Sequence, residues 1–202
     1  MSSKTGYALL VSSGDGYSLE EYGMIPKSSE PPGAYPGNYV DWAYQIFGKI
    51  SELIDRMAPD VLVIEETCAG SKNVYSQKIL EFCHFLLAKM IRDRNLEACY
   101  MLTGQWRFET GCSMTKEESK RNKEVREYKK AIEKKTGAKP TAAYDIVTGK
   151  RIGKIGKKHV NVRRANEIFG KFLKEPLRQK NEDEADSLLL AYTYHLRRVK
   201  SK

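Results

Sequence analysis

Cysteine is scarce in this chain and badly placed for its two common structural roles. Cys68, Cys83, Cys99 and Cys112 stand 15, 16 and 13 positions apart. That spacing matches neither a C-x-x-C zinc pattern nor a dense disulfide framework, so a reducing, intracellular compartment is expected. No apolar run approaches the ~20 residues of a membrane span. Met1-Ser2-Ser3-Lys4-Thr5-Gly6 has no long apolar stretch behind its charge, so no signal peptide is expected. Gly149-Lys150-Arg151-Ile152-Gly153-Lys154-Ile155-Gly156 has neither the G-x-G-x-x-G nor the P-loop spacing, and reads as a flexible basic loop. No serine or cysteine has a partner spacing that marks a nucleophile. The three histidines make no site by themselves: His84 falls inside a helix, near the core; His159 sits among lysines, where phosphate is a partner; His195 is either a distal neighbour of Asp183 or surface decoration.

What the chain does have is a core and a concentrated positive charge. Its 202 residues are 41% hydrophobic and 30% charged, enough to fold as one domain of ordinary size, or one carrying an insertion. The net charge is +9 and unevenly spread. Residues 1–66 carry −6, whereas residues 115–160 alone carry +9. Such a block either attracts a polyanion, nucleic acid above all, or serves as a solvated helix face.

Local patterns give an α/β order. Residues 6–12 and 17–25 read as a hairpin turned by Gly14-Asp15-Gly16. Four prolines within 26–38 make a loop. Val40, Ala43, Tyr44, Phe47, Ile50, Ile54 and Met57 recur at helical steps. Val61-Leu62-Val63-Ile64 reads as a strand buried on both faces. A loop over 67–73, a helix over 74–93 and a strand over 97–102 follow. The basic block predicts a helix over 115–137, stopped by Gly137 and Pro140, then a glycine- and lysine-rich hairpin. Amphipathic helices are expected over 160–174 and 182–199, the last with Ala185, Leu188, Leu189, Tyr192 and Leu196 as its apolar stripe. The late strands are joined by helical crossovers.

Carboxylates stand where such a core should be apolar. Glu65 or Glu66 ends the buried strand, where open α/β sheets place their sites. A period of two puts the pair on opposite faces and leaves either as the site acid. Asp183 and Asp186 share one helix face. Three acids brought together need a cation, and hard oxygen donors suit Mg²⁺ or Mn²⁺. The competing reading is structural: Asn181 and Glu184 fit a capping pattern, acids favour a first helical turn, and an acid at a strand end is simply solvated. Trp106 and the twelve tyrosines are candidates for base stacking or for core.

Four segments together resemble the RuvC-type Holliday-junction resolvases of the ribonuclease H-like superfamily, with a basic insertion like that of phage-type relatives. They are Ser2-Ser3-Lys4-Thr5-Gly6-Tyr7-Ala8, Ile64-Glu65-Glu66 followed by Ser71-Lys72-Asn73, Lys158-His159-Val160-Asn161-Val162, and Asp183-Glu184-Ala185-Asp186-Ser187-Leu188.

The resemblance implies an α/β fold with a mixed sheet flanked by helices and a basic helical insertion over about 113–157. It implies Glu65, Asp183 and Asp186 as catalytic metal ligands for Mg²⁺ or Mn²⁺. It implies Lys72, Asn73, Lys157, Lys158, Lys120, Arg121 and Lys123 as DNA contacts. The substrate would be branched DNA, four-way junctions first, cut by a homodimer without a membrane in a bacterial or phage-infected cytoplasm. A non-cutting binder of structured DNA, or a nuclease on flaps or RNA–DNA hybrids, are the alternatives. Two departures are visible. The family opens on a central strand ending in an aspartate, and Met1 stands where the next residue should be; a chain so lacking its first strand is expected to be less active and less stable than an extended form. The family also carries an aromatic after the glutamate, where Thr67-Cys68-Ala69 stands here, with Tyr75 as a substitute.

Overall fold

The computed structural model describes residues 5–26, 29–66, 74–144 and 148–201, apart from the side chain of Ser76. Strands β1 (Thr5–Ser13) and β2 (Gly16–Ile25) pair antiparallel through a two-residue turn in which Gly14 takes a φ of +58°. That angle is open to glycine and resisted by residues with a Cβ. A register shift between Leu9 and Leu10 bulges the ladder. Helix α1 (Gly37–Met57) ends at Ala58, whose N–H reaches Ile54 O. Strand β3 (Val61–Glu65), helix α2 (Val74–Asp93) and strand β4 (Glu97–Met101) form a parallel pair linked through a helix, with Glu65 opposite Met101.

A short helix α3 (Thr103–Glu109) follows β4 directly. It went unforeseen because its glycine and aromatics carry no helical signature over so few residues. Helix α4 (Lys116–Thr136) covers the basic block and starts on a capping box, in which Glu118 N donates to Thr115 Oγ1 at 3.1 Å and Thr115 N to Glu118 Oε2 at 2.8 Å. Gly137 closes it in the left-handed region, φ +70°. The expected hairpin is present as β5 (Ala143–Tyr144) and β6 (Arg151–Ile152). Helix α5 (Lys157–Phe169) begins three residues earlier than the apolar pattern placed it. Its start is held by the Gly156 N–H, which donates to His159 Nδ1 at 3.3 Å. A single 3-10 turn, Gln179–Asn181, leads into α6 (Glu182–Lys200).

Among the described residues the strands form three separate two-stranded ladders, which do not join into the mixed sheet of the family, whose first central strand this chain is expected to lack. What unites the first two is α6. Its Ala185, Leu188 and Leu189 are fully buried, and Ala8 and Leu10 of β1, Val63 of β3 and Cys99 of β4 all pack against that cluster. Helices α1 and α2 close their own interface through Trp42, Ala43, Ile79, Cys83 and Leu86. No helix among the described residues is long and apolar enough to cross a membrane.

Candidate active site

Glu65 reaches the site because β3 ends there. It is the last residue of the strand and is exposed. The parallel pairing with β4 brings the next element, α3, over the same strand end. Thr103 and Trp106 are three apart and so share one face of that helix. Both donate to one atom: Thr103 Oγ1 to Glu65 Oε1, and Trp106 Nε1 to the same oxygen at 3.2 Å. Glu65 Oε2 accepts no hydrogen bond among the described residues. Trp106 is fully buried, which removes it as a base-stacking residue and makes it core.

Asp186 enters from α6. Asn161, on α5 and itself fully buried, donates from Nδ2 to Asp186 Oδ1 at 2.6 Å. Burial pushes the Asp186 carboxyl up to about 6. The Asn161 hydrogen bond and the charges of Arg107 and Lys158 oppose the rise, and the negative charge of Glu65 adds to it. Glu65 and Asp186 are therefore close enough to feel each other. Asp183 sits one turn earlier on α6. Lys158 donates to Glu182; burial depresses its ammonium, but that partner and the charges of Asp183 and Asp186 carry the net shift upward.

Asn181 does not cap α6 with its side chain. Its Oδ1 accepts from Arg178 N at 3.2 Å, and its amide donates to Glu184. The capping explanation for this acidic turn loses that support, although Glu182, Asp183 and Glu184 still meet the positive end of the helix dipole.

The donors suit a hard divalent cation in kind. The charge of Glu65 acts on Asp186, and among the described residues Glu65 Oε2 accepts no hydrogen bond and the buried Asn161 Oδ1 has no partner. The arrangement nevertheless stops short of a closed triad. Among the described residues, no three His, Cys, Asp or Glu side chains stand close enough to hold one ion as a group.

Two features of this site escaped the sequence reading. Asn161 stands in one of the four resembling segments, but nothing there marks its side chain as the partner of Asp186. Arg107 stacks on Trp106, its guanidinium carbon 4.9 Å from the ring centroid. Its Nε is buried and without a hydrogen bond, and its charge is felt by Asp186. A single arginine in a chain with 35 basic residues gives no signal in sequence.

Comparison with known proteins enters here. No protein-family model and no curated protein sequence matches the chain. Solved structures do, among them a structure of Thermus thermophilus RuvC and one of T. thermophilus RuvC in complex with a Holliday junction substrate. Both align at a TM-score of 0.56. Identity is 13% and 12%; each alignment covers 98% of this chain and 92% or 91% of the other. The chain has a RuvC-like fold.

The expected DNA contacts divide by position. Lys72 and Asn73, and Thr67-Cys68-Ala69, lie outside the described residues. Lys157 is exposed at the start of α5, and Lys158 beside it is ion-paired with Glu182. Lys120, Arg121 and Lys123 are exposed on α4. Arg121 Nε donates to Gly153 O at 3.1 Å, and Lys123 stands 3.8 Å from Glu127. Tyr75 is 60% exposed and meets Tyr39 edge-on at 5.9 Å. Two of the histidines also resolve. His84 is half-buried, its imidazole depressed by burial against the pull of Glu66 and Glu65. His195 is buried, not decorative, with Nδ1 2.8 Å from Ser12 Oγ.

Proposed function

We propose that this chain is a metal-dependent endodeoxyribonuclease that cleaves branched DNA, four-way junctions foremost, as a homodimer. What supports the reading is that the charge of Glu65, at the C-terminal end of β3, is felt by the Asp186 carboxyl of α6 within a RuvC-like fold. Of the two neighbours named by their folds, one is described in complex with a Holliday junction substrate. Glu65, Asp186 and Asp183 are the residues that would hold Mg²⁺ or Mn²⁺, shared between two ions and not as one closed group. One ion would supply acidity to an attacking water, and the other would neutralise charge at the leaving 3′-oxygen.

The chain's own residues do the rest. Asn161 aims the Asp186 carboxylate, and Arg107 offers the scissile phosphate a guanidinium not committed to any carboxylate among the described residues. The lysines of α4 and the start of α5 bind backbone phosphates, so they read DNA shape and not sequence. The exposed Tyr35 and Tyr75, both edge-on to the half-buried Tyr39, with Lys78 over the Tyr35 ring at 4.4 Å, offer stacking faces for unpaired bases.

The test is a labelled synthetic four-way junction incubated with Mg²⁺. Paired nicks placed symmetrically, and lost in Asp186→Asn, support the resolvase. Tight, junction-selective binding without nicks supports the second reading, a structured-DNA binder, which the unclosed acidic group favours.

A further inference from the structure

We infer that Thr103 and Trp106 are positioning residues for Glu65, fixing which of its oxygens faces the reacting groups. The inference rests on the nuclease reading and adds two residues to it. A glutamate carboxyl turns about its last bond with little preference. Left alone at a strand end, it would offer either oxygen in many directions. Here two donors converge on Oε1, a hydroxyl from Thr103 and an indole N–H from Trp106. Hydrogen bonds to an ionised oxygen are roughly twice as strong as neutral ones. Two on one atom lock the rotation and leave Oε2 as the oxygen that accepts no hydrogen bond among the described residues.

The bland account is that a buried indole N–H must find some acceptor. A backbone carbonyl would satisfy that need equally well. Instead the ring is fully buried against the α6 core, so its N–H is held rigidly, and what it holds is the carboxylate that ends β3. Trp106 thereby ties Glu65 to the same hydrophobic cluster that seats Ala185, one residue before Asp186. Outer-shell partners of this kind typically contribute 10–100-fold in metal affinity.

The experiment titrates Mn²⁺ into the full chain, reading bound metal by paramagnetic resonance, for wild type, Thr103→Val, Thr103→Ser and Trp106→Phe. Thermal melting checks that each has folded. The expected result is about 10-fold or more weaker binding for Thr103→Val and Trp106→Phe, with Thr103→Ser close to wild type because it keeps the hydroxyl. Wild-type affinity in a folded Thr103→Val overturns the inference, and so does equal loss in Val and Ser. If the wild type itself takes up no Mn²⁺, the nuclease reading falls and takes the inference with it. A second measurement needs no metal: the indole N–H resonance of Trp106 should move in Glu65→Gln. A resonance that stays in place removes the hydrogen bond and the inference together.

Discussion

The backbone of Gly6 lies against the carbonyl of Asp183, with no room between them for a side chain. A Cβ built on Gly6 would collide with that carbonyl and come within 3.0 Å of Glu184 N. Strand β1 thus seats the first turn of α6, the turn that carries the acidic residues. Gly6→Ala must push the strand and the helix apart. Overpacking of this kind costs about 1–3 kcal/mol. We expect a lower urea midpoint and weaker junction nicking together; an unchanged midpoint would show that the two backbones are free to separate.

Asp186 predicts a trade between stability and activity. Its carboxyl, ordinarily near 3.8, is raised by burial to about 6 in the folded chain. The folded state therefore holds a proton that the unfolded state has released. The stability this residue lends is present below about pH 4 and is lost as the pH rises to about 6. Asp186→Asn removes that loss while sparing the Asn161 contact, and should stabilise the chain at pH 7 by on the order of 1–2 kcal/mol. Denaturant curves in a chelator, at pH 4 and pH 7, read this directly. A variant less stable than wild type at pH 7 would contradict it.

The same protonation shapes the rate. A carboxyl that must be ionised to bind a cation should give nicking that climbs through about pH 6 and then levels, provided chemistry limits the rate. A profile flat from pH 5 to 8 would remove Asp186 from the reacting groups.

Much of this was legible beforehand, for identifiable reasons. Long helices with apolar stripes, such as α1 and α6, announce themselves by period. The Gly14-Asp15-Gly16 turn and the Gly137 stop are local chemistry. The acids on α6 were visible as a pair because helical spacing relates them. Their relation to Glu65 was not, since it depends on how two ladders and two helices meet one core. Thr103 and Arg107, and the links of Trp106 to Glu65 and of Asn161 to Asp186, were missed for the same reason: each matters through a neighbour far away in sequence. The family pattern called for a mixed sheet short of its first central strand, and the described strands pair only two by two.

Asn122 should govern the basic arm. It is buried, donating from Nδ2 to Ile155 O at 3.0 Å and accepting from Ile155 N at 2.8 Å. These two bonds pin the 150s to α4. Asn122→Ala leaves both Ile155 groups without that partner and should cost about 1–3 kcal/mol. Faster amide exchange at residues 150–156 with α6 unaffected is the expected signature.

Lys120 and Lys123 test the arm's role. If they contact phosphates, charge reversal of either should weaken junction binding and flatten the plot of log affinity against log salt by about one unit of slope. A slope identical to wild type would leave α4 as a solvated face.

The most direct test of the account asks whether Glu65 and Asp186 serve one cation. Mn²⁺ affinity should be measured for wild type, Glu65→Gln, Asp186→Asn and the double variant. A shared ion predicts that each single change weakens binding and the second adds little to the first. Losses that add in full would mean separate sites, and the shared-cation claim would fail.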